Sequence, residues 1–488
     1  MAIILRALVI RLPPQESLTG LERYALGVLI DLARVPPVED PSVDVVRLLV
    51  AERDGGAPDI RTCVARDWYL ERGDGTVSLP RPVLRRIGEV ATAMTERGST
   101  SRDRYDRVPS RENELVQAGL ASDPVISRAA GALRAAVIAT AGRRPLALVA
   151  PWPEGRRWAA AFTHDLDVVA YWPVFALLRI AELARKGELR RVARAAWAAL
   201  SAIAHDPVAQ AVRRVLDDER AHGIVSTWFV ICGTPSFASM RAGDITYRPD
   251  GQAAQAILGT LTERGSEIGL HGSFRTADRP ELFREQRERL AQLVGRPPVG
   301  VRQHFLRLRA GTTQVGMTAA GFRYDSTCGY FDRNGFRVGI ADVLPLWDPA
   351  TERSIGLDEA PFCWMDRTLS KYAGIEDPVA WVADGERLAE ACRQVEGLWV
   401  GVWHPNLSPP LGYPGAPDAF RALLRAIAAR EPFLGPLQTI VDWRVARRSV
   451  RIGQMSPDGR LDAHASMRTS WPLSLEDPGR RVLATVRS

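Results

Sequence analysis

Lysine is almost missing from this chain: of its 64 basic residues only Lys186 and Lys371 are lysines, and the rest are arginine. Together with abundant alanine, that skew runs along the whole length and reads as a composition bias. It is not the clustered basic patch with exposed aromatics that nucleic-acid binding needs, so no nucleic-acid partner is expected. Cysteine is scarce too. Cys63, Cys232, Cys328, Cys363 and Cys392 are odd in number and widely separated. That excludes a disulfide framework, a cysteine metal knuckle and a Cys-x-x-Cys redox pair, and leaves reduced thiols as the expectation. Long hydrophobic runs are absent as well. Nowhere do about 18 apolar residues follow one another, so no membrane-spanning helix is expected. The N-terminal residues are apolar but broken by Arg6 and Arg11; they offer no signal-peptide core or cleavage site and read as a first strand, with a cytoplasmic protein as the expectation.

What remains is an ordinary soluble composition, 46% hydrophobic and 25% charged over 488 residues. That is too long for one core, and length alone suggests roughly three domains. Residues 1–150 read as a smaller α/β domain, with a helix at 21–32, strands at 43–50 and 76–79, a charged aperiodic loop at 97–111 and a helix from Asp123-Pro124 through Ile138. No chemistry is recognisable in that stretch. The proline-rich segment 143–155 reads as the domain junction.

From residue 156 onward, strand-like and helix-like segments alternate. Strands are expected at 159–163, 224–231, 267–271, 299–304, 322–325, 343–347, 398–404 and 437–441. Helices are expected at 253–264, 279–294, 379–395 and 418–429. Alternation argues for parallel pairing, and seven or eight such units favour a closed or nearly closed barrel. A helical insertion, 174–220, carries the basic runs Arg190-Arg191 and Arg213-Arg214 and reads as a solvated face covering the rim. Residues 446–488 form a C-terminal extension.

The chain is organised around Ala160-Ala161-Phe162-Thr163-His164-Asp165-Leu166-Asp167, an apolar strand that ends in a histidine and two carboxylates. Strand ends are where barrels and doubly wound sheets present their chemistry. Two carboxylates held close take different roles, one on a cation and the other as a base; an ordinary Asx turn has the same look. Downstream, Ile268-Gly269-Leu270-His271-Gly272-Ser273, Val301-Arg302-Gln303-His304 and Val402-Trp403-His404-Pro405 each end a strand in histidine. Four of only seven histidines (His164, His271, His304, His404) therefore share the strand ends, while His205, His222 and His464 do not. Imidazole with carboxylate suits Zn²⁺ or a similar divalent ion.

Thr163-His164-Asp165-Leu166-Asp167, Ser226-Thr227-Trp228-Phe229-Val230, Glu267 through Ser273, and Trp403-His404 together resemble the polysaccharide deacetylase family, the metal-dependent carbohydrate esterases. Arg302 through Arg307, Tyr324 through Tyr330 and Trp364 through Leu369 resemble a less characterised bacterial branch of it, whose members often carry an N-terminal accessory domain like residues 1–150. The resemblance covers roughly residues 156–445. It implies a distorted (β/α) barrel and hydrolysis of an acetyl group from an N-acetylated saccharide or sugar-linked metabolite. By motif, Asp165 matches the general base, Asp167 and His271 the first metal ligands, and His404 the general acid. One position departs from the family pattern: four residues after His271, where a second histidine is usual, stands Arg275. Arginine cannot ligate a cation. Either His304, with His164 as runner-up, completes the site, or the metal is lost and the chain is an inactive saccharide-binding barrel. Arg302, Arg307, Asp325, Trp347, Asp366 and Trp403, in or just after strands, are the expected saccharide contacts, tryptophan faces stacking on sugar rings.

Overall fold

The structure, a computed structural model, describes residues 9–38, 45–52, 59–61, 70–72, 75–143, 146–171, 174–185, 187–202, 206–237, 239, 244–245, 247–455 and 461–486. Cys63, Lys186 and His205, part of the expected first strand and part of the expected 143–155 junction lie outside them.

Strands β1 (Val9–Arg11), β2 (Val45–Ala51), β3 (Leu70–Arg72) and β4 (Thr76–Pro80) form a four-stranded sheet in the order β1-β2-β4-β3. Its apolar face, with Ile10, Val46, Leu48, Val77 and Leu79, packs on helices Gly20–Ala33 and Val125–Ala141. The first of these helices opens with a reciprocal capping box between Thr19 and Glu22. The same core takes in Val338, Ile340 and Leu344 from the far half of the chain. Of residues 97–111, expected as a loop, 98–109 contain no helix or strand, while Arg97 ends the helix Met94–Arg97 and Ser110 opens the short helical turn Ser110–Glu112. A short strand, β5 (Leu148–Val149), pairs with the C-terminal strand Ser474–Glu476.

The rest is α/β. Strands β6 (Ala159–Leu166), β7 (Thr227–Ile231), β8 (Glu267–Gly272), β9 (Gly300–Gln303), β10 (Tyr324–Asp325), β11 (Leu344–Asp348), β12 (Arg353–Glu359), β13 (Trp364–Met365), β14 (Leu398–Trp403) and β15 (Phe433–Leu434) make one sheet, ordered β11-β12-β10-β9-β8-β7-β6-β14-β13. β15 pairs with β6 in addition. From β12 to β13 every pairing is parallel, and only edge strand β11 runs antiparallel. Helices Gln252–Glu263, Glu281–Val294, Pro378–Gln394 and Ala416–Ala428 fall within two residues of the expected positions. The insertion between β6 and β7 is three helices, Val174–Arg185, Leu189–Ser201 and Pro207–Arg220.

Residues 437–441, expected as a strand, begin the helix Leu437–Arg448 instead. Leu437, Ile440, Val441 and Arg444 are buried at helical spacing behind Pro436, so the short apolar run is one face of a helix and not a strand. β12 and β13 were not expected. β12 reads Arg-Ser-Ile-Gly-Leu-Asp-Glu, with weak alternation, and β13 is only two residues long.

The sheet is strongly curved. Arg302 of β9 bonds to Thr163 and Asp165 of β6, three places away in the strand order. Strands in a flat sheet would stand roughly 14 Å apart at that separation, beyond the reach of an arginine. The inner face is filled by Ala159, Ala161, Phe229, Tyr324, Val400 and Val402. The outer face, with Phe162, Trp228, Trp399 and Trp403, packs against helices. Among the described residues no pairing joins β13 to β11 or β12, so the hydrogen-bonded ladder keeps two ends.

Candidate metal centre

Five parallel strands of this curved sheet, with β7 standing between β8 and β6, deliver polar side chains to one end of it. β9 ends at His304, β8 at His271, β6 at Asp165 and Asp167, β14 at His404 and β13 at Asp366. Alternation along β6 turns Thr163 and Asp165 inward and His164 outward. His164 is fully buried on the helical side, with Nε2 2.8 Å from Glu219 Oε1 and Nδ1 3.1 Å from the Trp403 carbonyl oxygen. That removes it as a third ligand.

Asp167, His271 and His304 offer donor atoms that all lie within 4.8 Å of one another. The Nε2 atoms of His271 and His304 stand 3.4 Å and 3.5 Å from Asp167 Oδ1. Each ring is fixed from behind. His271 Nδ1 donates to the Arg302 carbonyl oxygen at 2.9 Å, and His304 Nδ1 meets Asp244 Oδ1 at 2.9 Å. An imidazole that donates from Nδ1 presents a lone pair at Nε2, the arrangement metal-ligating histidines use. Two imidazole nitrogens and a carboxylate oxygen, backed in this way, fit a divalent cation, zinc among them. Burial pushes His271 down, but the carboxylates of Asp165 and Asp167 outweigh it and hold the ring above its ordinary value. Asp167 is held far below the usual carboxylate range against its own burial, chiefly by His304, with His271 and His404 adding to it. A cation would take over the role of those protons. Arg275 is exposed in the turn after β8, and its side chain does not line the cavity.

Asp165 sits deeper. Its Oδ1 accepts from Arg302 Nη1 at 2.8 Å, while Oδ2 faces His271 Nε2 at 3.7 Å and His404 Nε2 at 3.9 Å. Burial alone would raise its pKa, but Arg302, His271 and His404 hold it below the usual range. His404 is held from behind by Asp366, which accepts from its backbone N–H and meets its Nδ1, each at 2.6 Å. Burial lowers the ring's pKa, and Asp366, Asp167 and Asp165 together raise it above the ordinary value.

These groups floor a cavity of about 430 Å³. None of the six expected saccharide contacts lines its wall; Asp366 lies behind His404, and the other five are held elsewhere. Arg302 is fully buried beneath the cavity, bonded to Thr163, Asp165 and both oxygens of Ser326, with its guanidinium over the Phe229 ring. Arg307 is tied to Asp278 and Asp106. Asp325 is buried among Thr327, Gln314 and Glu359, and burial pushes both carboxyls of that pair upward. Trp403 stacks on Trp364 and Phe420 in the outer core, because odd positions of β14 face the helices. Trp347 stacks on Tyr24 at the sheet edge, 5.6 Å between ring centres.

Most of the wall comes from connecting segments: those around Tyr105 and Tyr413 carry no motif, whereas Phe305, Leu306 and Arg367 fall within the 302–307 and 364–369 stretches. Tyr105 stacks on Phe305, which stacks in turn on His304, with ring centres 4.5 Å and 4.1 Å apart. Phe305 and Leu306 both adopt left-handed backbone, φ 59° and 56°. Such conformations cost of order 1–3 kcal/mol each and persist where packing imposes them. Here Arg107, which donates to the Phe305 carbonyl oxygen at 3.2 Å, helps hold the turn. The N-terminal part of the chain, silent in sequence, thus reaches the candidate site through residues 104–107. Asp244 and Asp366 could have been suspected only as carboxylates without a pattern, since their partners are distant in sequence.

No family model matches the chain, and no curated protein matches it. Several solved structures are similar in part. A protein of Mycobacterium smegmatis designated a polysaccharide deacetylase is 21% identical over 61% of this chain and 93% of that one, with a TM-score of 0.42. An allantoinase is 15% identical over 60% and 91%, at 0.38. The chitin deacetylase of the fungus Colletotrichum lindemuthianum is 10% identical over 57% and 85%, at 0.31. Over about three-fifths of its length, then, the chain is similar to solved deacetylase structures.

Proposed function

We propose that the protein is a metal-dependent hydrolase that removes an acetyl group from an N-acetylated saccharide or sugar-linked metabolite, within a distorted (β/α) barrel. The observation that carries this reading is the convergence of Asp167, His271 and His304 beside two further, separately anchored groups, Asp165 and His404. When bound, a divalent ion, zinc on this donor set, supplies Lewis acidity toward the acyl oxygen and makes water a nucleophile near neutral pH. Asp165, kept ionised by Arg302, takes the proton of the attacking water on Oδ2, the oxygen that Arg302 leaves open. His404, with Nδ1 engaged by Asp366, gives a proton from Nε2 to the departing nitrogen. The C–N bond breaks, the sugar leaves as an amine and the acyl group as acetate. His304 replaces, from the next strand, the ligand lost to Arg275.

Metal analysis of the purified protein, paired with acetate release from N-acetylated chitooligosaccharides, tests the reading. About one equivalent of divalent metal is expected, absent in Asp167→Ala and His271→Ala. Asp165→Asn should keep the metal and lose roughly a hundredfold or more in turnover. A protein that takes up no stoichiometric zinc on titration would overturn the reading and leave a saccharide-binding barrel without catalysis.

A further inference from the structure

Above the donor triad the cavity wall is cationic, and among the described residues it is only partly neutralised. Arg104 and Arg107 come from the 98–109 segment, Arg367 and Lys371 from the turn after β13, and Arg179 from the first insertion helix. Two of these are matched: Arg107 by Asp103 at 2.6 Å and Arg179 by Glu182 at 2.7 Å. The others are not. The Arg367 guanidinium leans on two neutral acceptors, Tyr413 Oη at 3.2 Å and Asn406 Oδ1 at 3.1 Å. Among the described residues no carboxylate forms an ion pair with Arg104, Arg367 or Lys371. The buried Arg302 and Arg444 are matched by acids, Asp165 for the first and Asp31 with Asp342 for the second, and the half-buried Arg337 is matched by Glu96.

The cations also press on one another. Lys371 is held down to about 8 by partial desolvation at the cavity mouth and by Arg367, Arg107 and Arg104. Like charges gathered without a directly paired counter-charge cost free energy that a bound anion recovers. Lys371 and Arg367 also feel the Asp167 carboxylate, which puts the cluster within electrostatic range of the triad. A cavity of about 430 Å³ has room for an acylated sugar with a charged substituent.

We propose that Arg104, Arg367 and Lys371 bind a phosphate or carboxylate carried by the substrate, so that the saccharide acted on is anionic. This rests on the hydrolase reading for the acyl end alone; the anion end stands on the wall itself.

Calorimetric titration of the full chain with N-acetylglucosamine, N-acetylmuramic acid and N-acetylglucosamine 1-phosphate tests it. At least one charged ligand should bind about tenfold or more tightly than the neutral sugar, the scale of one charge-assisted contact. Which of the two gains more separates carboxylate from phosphate. Arg367→Gln and Lys371→Met should each remove most of that advantage, and Arg104→Gln, on an exposed loop, gives a variant with little risk of misfolding. Equal affinity for all three ligands would overturn the inference, and so would an advantage unchanged in all three variants, which would mean general attraction to a basic protein. Metal content is measured alongside. A charged-ligand preference in a metal-free protein supports this inference and sinks the hydrolase reading; bound metal without a preference does the reverse.

Discussion

At the floor of the cavity four of the five ionisable groups are fixed from behind: Asp165 has Arg302, His404 has Asp366, His304 has Asp244 and His271 has a backbone carbonyl. On the wall, Arg367 rests on a phenol and an amide, and among the described residues Arg104 and Lys371 have no carboxylate partner. The floor is made of strand ends within one continuous parallel run of the sheet, from β9 to β13. The wall is assembled from a loop near residue 105, an insertion helix, the turn after β13 and the segment after β14. A scaffold with satisfied charges can hold a cation and move protons without rearranging. A wall with unsatisfied charges is suited to choosing what is bound, and connecting segments can vary without disturbing the strands beneath.

Arg302→Met should break that contrast most severely. Arg302 is fully buried, and its removal strands Asp165 as an unpaired charge, a change that costs about 3–5 kcal/mol. Arg104→Gln on the wall should stay within about 0.5 kcal/mol. Urea denaturation of both variants makes the comparison, and comparable losses would mean the floor is not held by this pair. The pH dependence has a definite sign. Asp165 is held below its unfolded value, so it contributes stability above the unfolded pKa that is lost as pH falls through the folded one. That acid-side loss should shrink in Arg302→Met.

Asp366→Asn is a milder test. His404 keeps its place at the end of β14 but loses the carboxylate that favours its charged form. Turnover should fall about tenfold, part of what positioned proton transfer supplies. Because Asp366 raises His404, its loss should move the alkaline limb of the pH–rate profile toward lower pH. An unmoved limb would assign that limb to another group.

The floor was readable from sequence and the wall was not, for the same reason. A strand that ends in His-Asp-Leu-Asp or Leu-His-Gly declares both its geometry and its chemistry within a few residues, and three of the four strand-end histidines share one face. That signal singled out Asp165, Asp167, His271, His304 and His404, which the fold brings together. It failed where direction depends on tertiary packing. His164 and Trp403 end strands too, yet alternation turns them to the helical side. Arg302 looked like a hand reaching into the mouth and is instead the counter-charge beneath it. Tyr105, Arg107, Arg367 and Tyr413 come from connecting segments with no periodicity, so nothing local marks them as neighbours. Residues 437–441 misled because five residues are too few to tell a strand from one face of a helix.

The smallest effect expected is the titration of Lys371, and it isolates the wall. Its ammonium is pushed down to about 8 by desolvation and the neighbouring guanidinium groups, while Arg367 is held above its ordinary value and Asp167 far below its own. A sugar phosphate is close to fully ionised by about pH 7, since its second pKa lies near 6, so the ligand's charge is nearly constant above that. Affinity for N-acetylglucosamine 1-phosphate should therefore fall a few-fold between about pH 7 and pH 9, the loss of one partly exposed charge pair. In Lys371→Met the profile should be flat over that range. Stability should move the other way. The folded value lies below the ordinary lysine value of 10.5, so between about 8 and 10.5 the unfolded chain binds more protons and the native state gains stability as pH rises. Weaker binding with a slightly higher melting temperature on the same pH step is thus the signature of Lys371, and the melting change too should vanish in Lys371→Met. A fall in affinity that survives the substitution would place the titrating group at the floor.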